Sequence, residues 1–311
     1  MLFQAVAVII LTNMRYELTL WRRLLSSAAF WSCVAVIALL CFFSPLYRDY
    51  SLGQEYSIMD VMMQFSRERL EQDASFSAIY VVYHGFQSWI CIFAPVLTAL
   101  PVLAVKLSET ESGLTRFVSV RLNHKKKLTG VCNFYLLAGA TVLVTGFLLF
   151  CLITFAFFPS LNRYSVDSVY QINSQLYPDG SMIGTAYHKG GAPAAFLLYL
   201  SGLFLYGISC NAIILFCSSL SNNMYVITCL PFFFHYSCER ISTLLSINLA
   251  ENTSKTIHRI VNALNPNAFV HSFLYPVDHF WIWTYHSVRT ALCIIAFIAI
   301  CKRRSRYDFL I

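Results

Sequence analysis

Two long apolar runs, Val81–Val105 and Leu128–Phe158, contain no Asp, Glu, Lys or Arg. Between them lies Lys106 to Thr129, KLSETESGLTRFVSVRLNHKKKLT, a strongly polar and basic stretch. A helix of about 20 apolar residues crosses the ~30 Å hydrocarbon core of a bilayer. The runs therefore predict membrane helices, and the polar stretch predicts a loop outside the membrane. The same reading over the whole chain predicts spans at 27–46, 78–105, 128–158, 192–216, 224–246 and 280–301. Pro95 and Pro101 predict kinks in the second. The third is longer than a bilayer needs, which predicts tilt or protrusion.

The intervening segments have patterns of their own. Residues 47–77 are expected outside. There Ser57-Ile-Met-Asp60 reads as a capping box, followed by the apolar stripe Ile58, Val61, Met62 and Phe65, and together these predict a short amphipathic helix. Pro159–Gly191 is expected to be a polar outer loop, Cys217–Asn223 a tight turn, and Ile247–His279 an outer segment that either stays outside or dips into the membrane. Trp281, Trp283 and Tyr285 are expected to form an aromatic belt. In the N-terminal segment Met1–Ser26, Thr12, Arg15, Thr19, Arg22 and Ser26 fall on one helical stripe, with Val6, Ile10, Leu18, Trp21 and Leu25 opposite. That predicts an interfacial helix with Arg15, Glu17, Arg22 and Arg23 toward headgroups; a cytoplasmic extension of the first span fits the same pattern. The expected fold class is all-α: a polytopic membrane protein, one domain over 1–311, with six spans, an N-terminal interfacial amphipathic helix and both termini cytoplasmic.

Composition supports the membrane reading. Of 311 residues 58% are hydrophobic and 12% charged, against about 25% charged in soluble domains. No stretch is long and polar enough for a soluble catalytic domain. The net charge of +7 follows topology. The segments 1–26, 106–127 and 302–311 hold thirteen of the 22 Lys and Arg, against four of the 15 acids (Glu17, Glu109, Glu111, Asp308). By the positive-inside rule these segments are cytoplasmic, and nucleic-acid binding is not expected. The N-terminus lacks a basic n-region and a small-residue cleavage site, so no signal peptide is expected. Most of the eleven cysteines sit in apolar runs (Cys33, Cys41, Cys91, Cys151, Cys210, Cys293) without a CxxC, the pattern of buried free thiols.

Two charges fall inside predicted spans. Counting ~1.5 Å per residue, Arg289 lies ~18 Å from the cytoplasmic boundary, and Glu239 ~21 Å. An intramembrane charge is expected to have a partner, so a Glu239–Arg289 pair is one reading. The other is that the fifth span breaks before Glu239, leaving both charges in an outer aqueous vestibule. Seven of the eight histidines (His84, His188, His235, His258, His271, His279, His286) fall in the outer half or outside, at spacings that match no metal motif, and no metal site is expected. Asn252-Thr253-Ser254 is a formal glycosylation sequon.

The six spans, the N-terminal YELTLWRRLLSSAAFW and the basic loop between spans two and three together resemble the membrane subunits of exporter-type ABC transporters, the six-helix class-two or type V permeases. In that family the second cytoplasmic segment reads acid-x-Gly, a basic residue, a small polar–Arg element and then Lys. Here Glu111, Gly113, Arg116, Ser119, Arg121 and Lys125, Lys126 and Lys127 stand at those places, with Glu109 just before. The proline many members carry before the Ser–Arg element is absent. Leu264-Asn265-Pro266 is similar to the family's outer re-entrant region. The resemblance implies a bacterial plasma-membrane protein that docks through this loop, as a coupling helix, on a separate ABC ATPase subunit that binds ATP. A second permease copy or a related permease would complete the unit. Glu109 and Glu111 are expected near the start of that helix, where acids suit its dipole. The chain has no GxxxxGK[ST], so no ATP is expected to be hydrolysed on it. The abundant Phe and Tyr favour a hydrophobic or amphipathic cargo (a peptide, antibiotic or lipid-like molecule). A non-transporting membrane scaffold or sensor fits the same loop. A membrane-embedded enzyme fits less well, since no HExxH, GxSxG or intramembrane Asp pair is present.

Overall fold

A hydrocarbon layer offers no water to backbone N–H and C=O groups, so a chain crossing it must satisfy them internally, and this chain does so mostly with helix. In the computed structural model the described residues are 17–49, 53–87, 89–111, 124–221, 223–248, 255–275 and 279–307. Among them run α1 (Glu17–Ser26), α2 (Ala28–Phe42), strands β1 (Pro45–Asp49) and β2 (Gln54–Ser57), then α3 (Ile58–Gln64), α4 (Arg67–Gln72), α5 (Ala78–Gly85) and α6 (Trp89–Glu111). There follow α7 (His124–Phe157), α8 (Val166–Leu176), α9 (Met182–Leu220), α10 (Met224–Asn248), α11 (Lys255–Leu264), α12 (Pro266–Leu274) and α13 (His279–Tyr307).

Four stretches are long and apolar enough to cross a membrane: Trp89–Ser108, Leu128–Arg163, Met182–Leu220 and Phe280–Arg303. The pair Glu17–Ser26 and Ala28–Phe42, bent by 60°, makes a fifth if it is one span. The expected first span, 27–46, is shorter than anticipated. Its helix has 15 residues, which at ~1.5 Å each is well under the ~30 Å core, and Pro45 already opens a strand. The fifth expected span, 224–246, is helical as α10, but Glu239 and Arg240 near its end leave it less apolar than the others.

Single side chains hold the helix breaks. The Ser27 hydroxyl donates to the Leu24 carbonyl at 2.8 Å and accepts from Phe30 N–H at 3.1 Å, so it serves the end of α1 and the start of α2 together. At the break between α5 and α6, the buried Ser44 hydroxyl donates to the Gly85 carbonyl at 2.6 Å. Pro95 and Pro101 lie inside a continuous α6, and the break in this region falls before it, at Phe86 and Gln87. In α9 the interruption is Gly191, whose φ of 71° is a backbone setting that favours glycine.

The bundle is organised on α9, which packs against α6, α7, α10, α12 and α13. Lipid gives no hydrophobic drive between helices, so close contact and interhelical hydrogen bonds must supply the association. At the α7–α9 contact, Asn211 Nδ2 donates to the Tyr135 carbonyl. A Cβ on Gly139 would run into the Asn211 amide, and one on Gly207 would come within 2.6 Å of Ala140 Cα. Phe30, Leu143, Phe147 and Tyr199 are among the buried side chains around this contact, while Leu152, Phe155, Leu197 and Ile295 are exposed, on the surface that faces lipid.

A small extramembrane cap sits at one end. It includes a two-stranded antiparallel sheet, pairing Pro45 with Ser57 and Asp49 with Gln54, so the fold is mostly helical rather than wholly so. The expected capping box is present: Asp60 N–H donates to Ser57 Oγ at 3.1 Å and Ser57 N–H to Asp60 Oδ2 at 2.9 Å. Behind it Ile58, Val61 and Phe65 are buried and Met62 half-buried. The stretch 159–191, expected as loop, instead contains α8 and the first turns of α9. It is tied to the cap by Ala78 N–H to the Pro159 carbonyl (2.9 Å), Arg163 to Glu71 (2.7 Å) and the Tyr164 hydroxyl to the Leu70 carbonyl (2.8 Å). Burial pushes the Tyr164 phenol up to about 12. Stretches rich in Ser, Asn and Tyr still form helix when a cap is at hand, and Ser165 accepts from Ser168 N–H at the start of α8.

The α7–α9 contact leaves no room for a larger residue. Gly207→Leu is expected to abolish a monodisperse gel-filtration peak in mild detergent, or to lower the thermal midpoint by several degrees; an unchanged midpoint would contradict the close approach described. In the cap, Ser57→Ala should cost about 1 kcal/mol. The Ser57 hydroxyl and N–H hold the Asp60 carboxyl below its ordinary value. Its folded-state pKa is therefore depressed. The contribution is complete above the unfolded value of about 3.9 and fades as pH falls below it. The stability gap between the native chain and Asp60→Asn should be flat from pH 7 to 5 and close under stronger acid.

Candidate functional site

The charged groups singled out in the sequence gather at the end of the bundle opposite the cap. Glu109 and Glu111 belong to α6, and Lys125, Lys126 and Lys127 to α7. Gly113, Arg116 and Arg121 lie outside the described residues, as does Arg15. Lys106 is half-buried within electrostatic reach of Cys301 near the end of α13, so the α6 and α13 ends lie side by side. The start of α1 lies against the start of α7: a Cβ on Gly130 would stand 3.2 Å from Glu17 Oε1, and the Trp21 and Phe134 rings meet edge-on at 5.6 Å.

The coupling helix expected to begin near Glu109 and Glu111 falls largely on residues outside the described ones. In α1 two apolar faces are seen. Leu20 and Leu24 are buried at 1% and 0% exposure, while Leu18 and Leu25 are exposed at 70% and 46%. A helix between a protein bundle and lipid has two apolar neighbours. Leu20 and Leu24, four residues apart, face the bundle, and Leu18 and Leu25 face away from it. Arg22 is exposed and Arg23 half-buried.

A second polar cluster lies among the membrane helices. Arg289 on α13 is 8% exposed. Its Nη2 donates to Ser209 Oγ of α9 at 2.6 Å. Thr290 Oγ1 donates to the His286 carbonyl at 2.7 Å and lies 3.1 Å from Ser209 Oγ. The guanidinium carbon stands 5.6 Å from the Tyr285 ring centroid and 6.0 Å from that of Phe234, both within cation–π range. Arg289 Nε and Nη1 and both ring nitrogens of His286 are buried with no hydrogen-bond partner among the described residues. His286 packs on Phe269 of α12 at 4.7 Å. Asn265 caps α12 by accepting from Asn267 N–H at 2.9 Å, with Pro266 in the first turn. Trp283, expected in an outer aromatic belt with Trp281 and Tyr285, packs on Phe269 and Phe273 of α12.

The expected Glu239–Arg289 pair is not formed. Glu239 pairs with its neighbour Arg240 at 3.5 Å, and Arg240 also lies over the Tyr236 ring. A cavity of about 430 Å³ separates α10 from α13 at the level of Arg289, lined by Ile213, Phe216, Leu230, Phe233, Ser237 and Cys293 among others. A second cavity of about 300 Å³ is lined by Ser209, His286 and Thr290. Counting residues places Glu239 and Arg289 at one depth, but depth alone does not fix which way each points around its helix. Ser209 and Thr290 carry no sequence signal, since a hydroxyl in a membrane helix commonly bonds its own preceding turn. The spacing of His286, Arg289 and Thr290 on one face of α13 was the signal available. Among the described residues no three His, Cys, Asp or Glu side chains converge as a metal site.

No family model, curated protein or solved structure matches this chain.

The separation of the two charges has a direct test. In a double-mutant cycle, Glu239→Arg with Arg289→Glu should be as unstable as the sum of the single changes, with a coupling within ~0.5 kcal/mol of zero. Recovery of stability in the double variant would mean that the two side chains do meet.

Proposed function

We propose that this chain is the membrane subunit of an ATP-driven exporter of the ABC type. It has six spans and both termini on the cytoplasmic side, and it couples to ATP hydrolysed on a separate nucleotide-binding subunit. In this reading α1 with α2, α5 with α6, α7, α9, α10 and α13 are the spans, and α11–α12 is the outer re-entrant hairpin. α10 has 25 residues, ~37 Å of helix, which is enough to cross. A second copy or a related permease completes the transmembrane unit. The cargo class is hydrophobic or amphipathic.

One observation carries the reading: the two long apolar helices α6 and α7 are joined by a stretch that carries both acids and lysines, from Glu109 to Lys127. The lysines are accounted for by orientation in the membrane. The acids are not, because acids contribute little to that rule. A surface bearing both signs, between two spans, suits docking of a soluble partner. The adjoining ends of α1 and α13 place Arg22, Arg23, Lys302 and Arg303 at the same end. A coupling segment between α6 and α7 would pass movement of the ATPase to α7 and, through the α7–α9 contact, to the rest of the bundle.

The test is co-purification from native membranes in mild detergent, for the unmodified chain and for Glu111→Lys and Arg116→Glu. A soluble ATPase subunit should accompany the unmodified chain and be lost, or fall at least tenfold, with either change. If a folded chain brings down no nucleotide-binding subunit, the exporter reading fails, and a non-transporting membrane scaffold or sensor takes its place.

A further inference from the structure

A guanidinium buried away from water needs a counter-charge or a full set of acceptors, because desolvating an unpaired charge is costly. Arg289 has neither. Its Nη2 is satisfied by Ser209, but Nε and Nη1, which carry three of the five N–H donors, have no acceptor. The carboxylate on the adjoining α10, Glu239, lies 3.5 Å from Arg240 Nε, with its Oε2 lacking a hydrogen bond, and forms no ion pair with Arg289. Arg289 also lines the cavity of about 430 Å³ between α9, α10 and α13. The rest of that wall is apolar apart from Ser237. Leu230, Phe233 and Phe234 on the wall are 49%, 59% and 40% exposed, so the cavity opens on the surface that faces lipid.

We propose that Arg289 is the anion-binding group of a site for a single-chain amphiphile with a carboxylate head, a long-chain fatty acid, which enters from the lipid phase. One guanidinium asks for one negative charge. Ile213, Phe216, Leu230 and Phe233 offer an apolar surface to one chain. The volume lies toward the low end of ligand pockets, which span roughly 300–1,000 Å³, and this fits one acyl chain better than two. Phe234 and Tyr285 flank the guanidinium, so the head is held at the apolar–polar boundary while the chain lies toward lipid. The site is independent of the exporter reading, because binding here needs no ATPase.

The experiment uses the purified full chain in a neutral maltoside detergent with a fluorescent long-chain fatty acid as probe. Oleate should displace the probe saturably. Oleyl alcohol, of the same chain but uncharged, should be at least tenfold weaker, and the two-chain anionic lipid phosphatidylglycerol should not compete. Arg289→Gln should weaken oleate binding at least tenfold and Arg289→Lys by less, while Ser237→Trp should remove binding by filling the cavity with Arg289 in place. Equal binding of acid and alcohol overturns the proposal. So does native affinity in both Arg289→Gln and Ser237→Trp. Stronger competition by phosphatidylglycerol than by oleate overturns the single-chain assignment in favour of a membrane phospholipid. If the variants do not give a monodisperse peak, the comparison of acid, alcohol and phospholipid on the native chain decides.

Discussion

The spacing between α7 and α9 sets the position of everything else. At their closest approach Gly139 and Ala140 on one side face Asn211 and Gly207 on the other, and the Asn211 amide bonds the Tyr135 carbonyl across the gap. The same ten-residue stretch of α9 addresses the other neighbours in turn. Gly202 leaves space for Phe273 of α12. The Tyr206 hydroxyl donates to the Cys91 carbonyl of α6 at 2.7 Å. Ser209 receives Arg289 of α13. Small and polar residues thus stand where a water-soluble core would place Leu or Phe, because lipid is as apolar as Leu and only close packing and hydrogen bonds distinguish helix from lipid.

The cap is held by a different balance. Its contacts are those of a small soluble domain: a capping box, a hairpin, an ion pair of Arg163 with Glu71, and the ring cluster of Tyr47, Phe65 and Phe76, with centroids 5.4–6.0 Å apart. Ion pairs there are exposed and individually weak. Cap and bundle share one hydrophobic core, in which Ile58, Val61 and Phe76 join Phe42 and Tyr83, with the bond from Ala78 N–H to the Pro159 carbonyl beside it. The chain therefore answers to two solvents, and the same residue types serve different ends in each. Ser57 caps a helix on the exposed cap, whereas the buried Ser44 satisfies backbone inside the bundle.

What could be read in advance follows range and dimension. The Ser57–Asp60 box was legible because its partners are three residues apart. The apolar helices were legible because hydrophobic length needs no knowledge of neighbours. The break after Gly85 was not, since the hydroxyl that settles it comes from Ser44, 41 residues earlier in the chain. Prolines were read as kinks, yet Pro95 and Pro101 pass within a continuous helix, where Thr98 bonds the Pro95 carbonyl at 3.2 Å. For the buried charges, sequence counting supplied one coordinate of three. It placed Arg289 and Glu239 at one depth but left out rotation about each helix and the cavity between them. Of the features that resemble an exporter subunit, the motif in the loop between α6 and α7 lies largely outside the described residues.

The eleven thiols share one trait: none is cross-linked, and seven are buried among membrane helices. The cap contains no cysteine from Pro45 to Ser77 or from Pro159 to Gly191. No covalent bond that an oxidising or reducing medium could form or break contributes to holding this fold. Buried thiols are inert to water-borne oxidants because the reactive thiolate is disfavoured in apolar surroundings. The integrity of the fold accordingly rests on noncovalent contacts alone.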